Sequence, residues 1–238
     1  EFRFSHEKIN ERVYKIVEDD PFGQFPFLYA ILGEDKCVLI DTGTGHTNYS
    51  DYVTLFINHT NLPYLIINTH VHFDHIGGNH YFSDKPCLGI CMGSRNKDFV
   101  SKKEVTSLAM GHPGAKLKDF TVTRWLEEGD LIFLDDNNPT TENSLQVLYA
   151  AGHTPDSIAI YSHRDNRLFL GDFVYPFAAV HADCIGASMA DYENTLNRIL
   201  NFIEPLVYPE EIVEEQREME EMRKQKLEQQ QQQQEQQE

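Results

Sequence analysis

A short segment of the chain contains a high density of residues that bind metal ions. Three histidines and one aspartate fall within six residues, inside the stretch Asn-Thr-His-Val-His-Phe-Asp-His-Ile-Gly-Gly, and they are His70, His72, Asp74 and His75. Imidazole nitrogens and carboxylate oxygens are donors that bind Zn²⁺ in proteins. Hydrophobic cores do not show this pattern, so we interpret the segment as a metal site. The alternative is a solvated histidine-rich loop.

An apolar strand is predicted immediately before these residues, at Tyr64 to Asn68. Because side chains alternate along an extended chain, His70 and His72 project to the same side. The turn that follows can bring Asp74 and His75 to the same pocket. Four donors can therefore converge through local structure alone.

Three further polar residues each follow the carboxyl end of a predicted strand, and they are Asp41, His153 and Asp172. Ligand sites in α/β sheets lie beyond this end of the strands. Taken singly, each residue also fits an ordinary turn or a satisfied buried histidine. Taken together, they predict that one sheet edge holds them beside the histidine cluster.

Short apolar runs alternate with loops and amphipathic stretches, which predicts an α/β fold. The candidate strands are Val13 to Val17, Phe27 to Leu32, Cys37 to Ile40, Tyr64 to Asn68, Cys87 to Cys91, Leu131 to Leu134, Leu145 to Ala150, Ile158 to Ser162 and Leu168 to Leu170. The candidate helices are Tyr49 to Asn58, Gly77 to Phe82 and Tyr192 to Ile203.

The 238 residues carry 20 basic and 38 acidic side chains, for a net charge of −18. This charge argues against binding to a phosphate backbone. The apolar runs are too short to span a bilayer, and no signal peptide is visible at the start, so we predict a cytoplasmic protein. Four scattered cysteines favour free thiols over a disulfide scaffold, and they are Cys37, Cys87, Cys91 and Cys184.

The composition changes near residue 208, where a stretch rich in Glu, Gln, Lys and Arg begins. It contains ten acidic and four basic residues, so the rest of the chain remains acidic at −12. We predict one domain at residues 1–207 and a helical or disordered tail at 208–238. The tail is interpreted as a solvated helix, with a coiled coil that binds a protein partner as the alternative.

The order of these motifs resembles that of the metallo-β-lactamase superfamily, from about residue 10 to residue 205. The family pattern is an Asp after an early strand, His-x-His-x-Asp-His, a distant His and a distant Asp. The resemblance implies an αββα sandwich that holds two zinc ions. One zinc would be held by His70, His72 and His153, and the other by Asp74, His75 and a bridging Asp172. Asp41 would support the loops without being a ligand.

Individual positions indicate a branch within the superfamily. Asp74 stands where the di-iron members carry Glu, which favours zinc over iron. Asp172 stands where some true β-lactamases carry Cys, which disfavours antibiotic hydrolysis. The stretch Gly-His-Thr-Pro-Asp-Ser around His153 resembles glyoxalase II and acyl-thioesterase-like members. The resemblance therefore implies a small-molecule acyl substrate, with a thioester of the acyl-CoA or glutathione type favoured.

The expected reaction is the attack of water, activated to hydroxide by zinc, on a carbonyl carbon. Asp74 is the residue expected to orient this nucleophile. Two other functions stay open, namely an inactive or truncated family member that serves as a binding or scaffold module, and a nuclease. Ile40-Asp41-Thr42-Gly43 also matches the aspartic protease signature, but no second Asp-Thr-Gly or Asp-Ser-Gly occurs in the chain.

One family feature is missing from the sequence. Members carry another His, in a Pro-Gly-His context, after the helix that follows the bridging Asp, whereas this chain has no His beyond His181. Glu211 stands where that His is expected and is a candidate substitute ligand. A truncated C-terminal end is the alternative explanation. His181 is a spare candidate for contact with substrate or metal.

Overall fold

The computed structural model describes residues 2–175 and 178–207. These residues form eleven β-strands and five α-helices, which confirms the predicted α/β class. A first compact unit ends at Tyr192, and a second begins at Glu193. The predicted tail and Glu211 lie outside the described residues, so the boundary at residue 207 stays a prediction. No helix in the described ranges is long and apolar enough to cross a membrane.

The larger sheet has seven strands in sequential order. Its strands are β1 (Phe4–Lys8), β2 (Val13–Glu18), β3 (Phe27–Leu32), β4 (Cys37–Ile40), β5 (Tyr64–Ile67), β6 (Cys87–Gly93) and β7 (Arg124–Leu126). β1 to β4 pair antiparallel, whereas β4 to β7 pair parallel. The carboxyl ends of β4 and β5 therefore meet at the same edge, and Asp41 and the histidine segment follow them.

The smaller sheet has four antiparallel strands in the order β11-β10-β9-β8. Its strands are β8 (Leu131–Phe133), β9 (Ser144–Tyr149), β10 (Ile158–Ser162) and β11 (Arg167–Phe169). Apolar side chains from both sheets form one buried cluster, including Ile31 and Val38 from the larger sheet and Val147 and Ile160 from the smaller one. Burial of this shared surface holds the two sheets face to face.

The helices are α1 (Tyr49–Phe56), α2 (Phe73–Ile76), α3 (Lys97–Ser101), α4 (Lys103–Thr106) and α5 (Met189–Val207). Short 3₁₀ turns cover Asn79–Phe82, Ala109–Gly111 and Gly171–Phe173. α1 begins where the Asn48 side chain accepts a hydrogen bond from the Asp51 N–H, as an N-cap does. Tyr52 and Val53 of α1 pack with Leu39 and Ile66 on the other face of the larger sheet.

All nine strands predicted from the sequence are present, with ends that agree to within two residues. The predictions missed β1, whose side chains are mostly exposed, and β7, which is three residues long. Neither carries the apolar alternation on which a strand prediction depends. The helix predicted at Gly77 to Phe82 is instead a 3₁₀ turn at Asn79–Phe82, and α2, α3 and α4 were not predicted.

Gly77 closes the turn after the histidine segment and leaves no room for a side chain. A Cβ there would collide with the carbonyl oxygen of Thr44 and would lie 2.6 Å from that of Phe73. We expect Gly77→Ala to lower the free energy of unfolding by about 1–3 kcal/mol, because the backbone must move to accept the methyl group. Urea denaturation measures this change. Gly111→Ala is the control, because nothing lies within 4 Å of that added Cβ; equal losses in both variants would contradict the prediction.

Candidate metal centre

The histidine segment is buried where β5 ends. β5 continues into Asn68 and Thr69, and the chain then turns into α2, which begins immediately after His72. The exposed fractions of His70, His72 and His75 are only 1–3%. Water cannot satisfy ring nitrogens at this depth, so each ring needs partners from the protein or from a bound ion.

The two distant residues reach the same place from the smaller sheet. His153 follows β9, and Asp172 lies in the 3₁₀ turn that follows β11. His153 Nε2 lies 3.0 Å from His72 Nδ1, and Asp172 Oδ2 lies 3.6 Å from His153 Nε2. The predicted convergence across the two sheets is therefore present in the structure.

The converging donors form two groups that share Asp172. Within each group the donor atoms lie within 4.8 Å of one another. The first group is His70, His72, His153 and Asp172, and the second is Asp74, His75 and Asp172. The spacing and the mixture of nitrogen and oxygen donors suit two neighbouring divalent cations.

The Asp41 carboxylate orients residues of the histidine cluster through hydrogen bonds. It accepts hydrogen bonds from the Thr69 N–H at 2.7 Å and from the Thr69 hydroxyl at 2.8 Å. His75 Nδ1 lies 2.7 Å from the same carboxylate and donates to it. Since Thr69 gives its proton to Asp41, its oxygen accepts from His70 Nδ1 at 3.1 Å. Both imidazoles are thereby oriented with Nε2 turned towards the cluster, as in carboxylate–histidine pairs behind metal ligands.

The backbone carbonyl of His181 plays the same part for His153. His153 Nδ1 donates to this oxygen at 2.8 Å, which leaves Nε2 as the unprotonated nitrogen. The imidazole of His181 lines the cavity, but its side chain is 70% exposed. His181 therefore meets the cluster through its backbone, which no sequence pattern indicated.

The buried nitrogen atoms provide a test of whether the residues fit a metal ion. Nε2 of His70 and Nε2 of His72 are inaccessible to water and have no hydrogen-bond partner. A buried polar atom without a partner costs free energy, and both of these atoms belong to imidazoles of the first donor group. Coordination to a cation satisfies such atoms, so the donor set fits a metal centre.

Burial keeps most of the cluster in the neutral form that binds metals. It lowers the pKa of His70 well below its ordinary value, with the neighbouring His75 and His72 adding to the effect. Burial likewise lowers the pKa of His72 to about 3, with His153 contributing, and it lowers the pKa of His153. These imidazoles offer lone pairs at neutral pH without competition from protons.

His75 and Asp172 behave as an ion pair. Burial lowers the pKa of His75, but Asp172, Asp41 and Asp74 outweigh it and raise that pKa well above the ordinary value. Burial raises the pKa of Asp172, but the charge and hydrogen bond of His75 outweigh it and hold that pKa well below the usual range. His75 Nε2 lies 3.1 Å from Asp172 Oδ1. Asp172, Asp41 and Asp74 thus favour positive charge at this point of the cluster.

A buried network of uncharged side chains supports the turn at His75. The His75 carbonyl oxygen accepts hydrogen bonds from the Asn68 amide at 2.8 Å and the Thr42 hydroxyl at 3.1 Å. Asn79 joins the two, because its amide donates to Asn68 and its oxygen lies 2.8 Å from the Thr42 hydroxyl. Sequence reasoning missed these residues, because their roles depend on contacts between segments that are far apart in sequence.

Glu18 is a fully buried carboxylate near the Asp41 loop. It accepts hydrogen bonds from the Thr44 N–H at 2.7 Å and the Thr44 hydroxyl at 2.9 Å. Burial nevertheless raises the pKa of Glu18 from 4.5 to about 7. The folded state therefore holds this proton more tightly than the unfolded chain does. Protonation of Glu18 therefore adds to the free energy of unfolding. This contribution is fully present below pH 4.5 and is lost as the pH rises to about 7.

We expect Glu18→Gln to remove this dependence in the metal-free protein. Between about pH 5 and pH 8, the wild type should lose on the order of 2–3 kcal/mol of unfolding free energy relative to the variant. Urea titrations at both pH values measure the difference. Glu11→Gln is the control, since that side chain is 95% exposed. Parallel pH profiles of wild type and Glu18→Gln would show that Glu18 does not titrate as described.

A cavity of about 730 Å³ opens over the metal-binding groups. Asp74, Asp172, His72, His75 and His153 lie at its base. Most other lining side chains are apolar, including Phe25, Phe27, Leu108, Leu168 and Val174, and the described lining residues include no Lys or Arg. The cavity can therefore accept an apolar group beside the polar base.

A buried aspartate holds the aromatic rim of this cavity in place. The Asp20 carboxylate accepts backbone hydrogen bonds from Phe22, Gln24 and Phe25 at 2.6–3.0 Å. These bonds stabilise Phe25 at a positive φ of 49°, with its side chain 52% exposed. An aromatic side chain exposed at a cavity mouth is available to a ligand.

The comparison with known families agrees with this geometry. The family model described as the metallo-beta-lactamase superfamily matches residues 20–210. The chain belongs to the metallo-beta-lactamase superfamily. Its αββα architecture and the resemblance drawn from the His-x-His-x-Asp-His motif are thus confirmed. Asp41, which lies in the motif that matches the aspartic protease signature, supports the histidine cluster. Its carboxylate is buried and hydrogen-bonded to Thr69 and His75.

Two relatives illustrate the range of names in this superfamily. The chain is 27% identical over 221 residues to the acyl-coenzyme A thioesterase MBLAC2 of Gallus gallus, with 84% of this chain and 76% of that protein covered. It is 26% identical over 190 residues to avaE of Aspergillus versicolor, which is named as a transcription factor. That match covers 72% of this chain and 56% of the relative, so the chain spans little more than half of avaE.

Solved structures share the fold at lower sequence identity. TTHA1623 in a di-iron-bound form matches with a TM-score of 0.59 and 23% identity, covering 76% of this chain and 83% of that one. DIM-1 metallo-beta-lactamase matches with a TM-score of 0.65 and 14% identity, covering 85% of each chain. At these identities the likeness shows the fold alone.

Proposed function

We propose that this chain is a zinc-dependent hydrolase that acts on a thioester. Membership of the superfamily supports a metal-dependent hydrolase in general. The observation that carries the proposal further is the convergence of buried imidazole nitrogens and two carboxylates at the base of an apolar cavity. A polar base under apolar walls suits a carbonyl compound with an apolar acyl group.

Zinc is the metal that the donor set favours. The first group offers three imidazoles and the shared Asp172 carboxylate, a mixture of nitrogen and oxygen donors that zinc binds. The second group offers one imidazole and two carboxylates, with Asp74 where the di-iron members carry Glu. TTHA1623, which shares the fold, was solved in a di-iron-bound form, so iron is the metal to test against zinc.

The two donor groups would hold the metal ions, and Asp172 would be shared between the two groups. When bound there, divalent ions supply a Lewis acid for a carbonyl oxygen and lower the pKa of water. Asp41 and Thr69 keep the ring orientations of His75 and His70 through the hydrogen bonds described above. This rigidity means that little reorganisation is needed when the carbonyl becomes charged.

Asp74 is the residue of the chain that we assign to orienting the attacking water. It lies at the base of the cavity, with its Oδ2 3.4 Å from His75 Nε2. Its carboxylate can accept a hydrogen bond from the water and direct the oxygen lone pair towards the carbonyl carbon. Burial, followed by the charge of Asp172, raises the pKa of the Tyr175 phenol, which therefore stays protonated in the cavity lining.

Two considerations support a thioester in particular. The MBLAC2 relative is named an acyl-coenzyme A thioesterase and is covered over most of its length. In addition, the His-Thr-Pro-Asp-Ser stretch after β9 resembles that of the thioester-hydrolysing branch. At 27% identity, substrate choice can differ between relatives, so a direct assay is needed.

Metal removal tests this function. We expect EDTA to reduce hydrolysis of an octanoyl thioester to the background rate, because the Lewis acid is lost. Zinc should restore the rate, and equal concentrations of ferrous iron or magnesium should restore less of it. The octanoyl oxygen ester serves as the matched comparison for the leaving group. Full activity after EDTA, with metal content below about 0.1 per chain, would contradict the proposal.

Other outcomes would point elsewhere. Recovery with iron alone would leave the hydrolase standing and reject zinc. A metal-loaded protein without turnover of any ester, thioester or nucleic acid would favour the binding or scaffold module. We also retain the sequence predictions of a cytoplasmic protein that does not bind nucleic acid, with a protein partner for the tail as the alternative to a solvated helix.

A further inference from the structure

A second, smaller hollow adjoins the metal cavity. Its volume is about 300 Å³, and its lining includes Lys15, Asn166 and Arg167. It shares Tyr29, Leu168 and Phe169 with the lining of the larger cavity. The two spaces are thus neighbours that differ in charge, because the described lining of the larger cavity has no Lys or Arg.

Strand register relates Lys15 to the metal centre. Lys15 of β2 pairs with Tyr29 of β3, and Tyr29 pairs with Ile40 of β4. Directly paired residues share one face of a sheet, and Asp41 follows Ile40. Two strand spacings therefore separate Lys15 from the start of the Asp41 loop, a distance of about 10 Å.

The second cation of the hollow, Arg167, lies in the smaller sheet. Arg167 is the first residue of β11, and Asp172 follows this strand by three residues. Phe169, two residues along β11 from Arg167, lies on the same face. The Phe169 ring meets the Tyr29 ring edge-on at 4.7 Å between centroids. These two rings form the wall that the cavity and the hollow share.

The cations of the hollow are weakly neutralised by the protein. Lys15 Nζ lies 3.8 Å from Glu7, whose side chain is 69% exposed, and 4.6 Å from the centroid of the Phe27 ring. Across residues 2–175 and 178–207, Arg167 has no ion pair with a carboxylate. Within the described ranges, these two cations therefore have one carboxylate partner between them, in a chain with 38 acidic and 20 basic residues.

Asn166 adds an uncharged donor to the same lining. Its side-chain oxygen accepts a hydrogen bond from the Tyr161 hydroxyl at 2.8 Å. Its amide nitrogen makes no hydrogen bond within the described ranges, so it can donate to a ligand. An ammonium, a guanidinium and an amide N–H together form a donor set for a carboxylate or a phosphate.

We propose that this hollow, lined by Lys15, Asn166 and Arg167, binds an anionic group of the substrate. The inference rests on the proposed thioester hydrolase function and narrows its substrate class. The substrate is a thioester that also carries a carboxylate or a phosphate, placed beyond the wall that Tyr29 and Phe169 form. The apolar part lies in the cavity, and the anionic part passes the Tyr29 and Phe169 rings.

Matched thioesters test this proposal. The octanoyl thioesters of coenzyme A, glutathione and N-acetylcysteamine share one acyl group and carry phosphate, carboxylate or no anion. We expect Arg167→Gln and Lys15→Gln to lower the ratio of kcat/KM for an anionic thioester to that for the neutral one by about tenfold each. The control is Arg164→Gln, an exposed arginine that pairs with Glu34 and does not line the hollow.

The pattern of losses identifies the anion. A larger loss with the coenzyme A thioester indicates a phosphate, and a larger loss with the glutathione thioester indicates a carboxylate. An unchanged ratio in both hollow variants, or an equal change in Arg164→Gln, overturns the proposal.

A second readout does not depend on turnover. In the zinc-loaded protein, we expect inorganic phosphate to shift the NMR signal of the Arg167 Nε–H group, and the shift should saturate. If no thioester is hydrolysed but this shift occurs, the proposed function fails and the anion site stands. If thioesters are hydrolysed and both the shift and the ratio effects are absent, the anion site alone fails.

Discussion

His72→Ala is expected to remove one metal ion per chain and to lower kcat/KM by about a thousandfold. His72 Nδ1 faces His153 Nε2 at 3.0 Å, and both belong to the group with three imidazoles. Deleting one of three neutral ligands leaves a site that cannot complete a tetrahedral zinc shell from the protein. The loss of several kcal/mol of Lewis-acid stabilisation corresponds to the expected change in rate.

Elemental analysis and a thioester assay on the same sample measure both effects. His59→Ala is the matched control, because this exposed histidine lies in a loop away from the cavity. It should leave metal content and turnover unchanged. A His72→Ala protein that is metal-free and still fully active would exclude a role for the metal centre in hydrolysis.

Asp172→Asn is expected to weaken both metal positions together. Asp172 belongs to both donor groups, and its carboxylate lies 3.1 Å from His75 Nε2 and 3.6 Å from His153 Nε2. An amide keeps the size of the side chain and one oxygen but loses the negative charge that two cations would share. We expect fewer than one metal ion per chain after dialysis and a loss of about 10²–10³ in kcat/KM.

The control for this second prediction is Asp183→Asn, which removes the same charge from a nearby side chain that is 90% exposed. Isothermal titration of the metal-free proteins with zinc gives the affinity of each position. Two tight sites in Asp172→Asn would show that Asp172 does not bridge them. A selective loss of the weaker site would instead assign Asp172 to the second group alone.

The sequence was most informative where the structure depends on local chemistry. His70, His72, Asp74 and His75 are close in sequence, and a strand followed by a turn is sufficient to bring them together. Strands such as β5 were predictable because they are fully buried apolar runs. The family motif then linked His153 and Asp172 to this segment, although they come from the other sheet.

Features that depend on long-range contacts could not be predicted in this way. Thr69 is an ordinary threonine in sequence, and its relay between Asp41 and His70 exists only because β4 and β5 are parallel neighbours. Likewise, Lys15 and Arg167 are separated by about 150 residues of chain. Single cations at such a separation carry no sequence signal for a shared hollow.

The number of zinc ions per chain of purified protein, measured by elemental analysis beside thioester turnover, tests the central claim most directly. The two donor groups predict two zinc ions when the metal is in excess, with turnover that rises as they bind. One zinc ion or none under saturating metal, without turnover, would contradict a two-metal hydrolase.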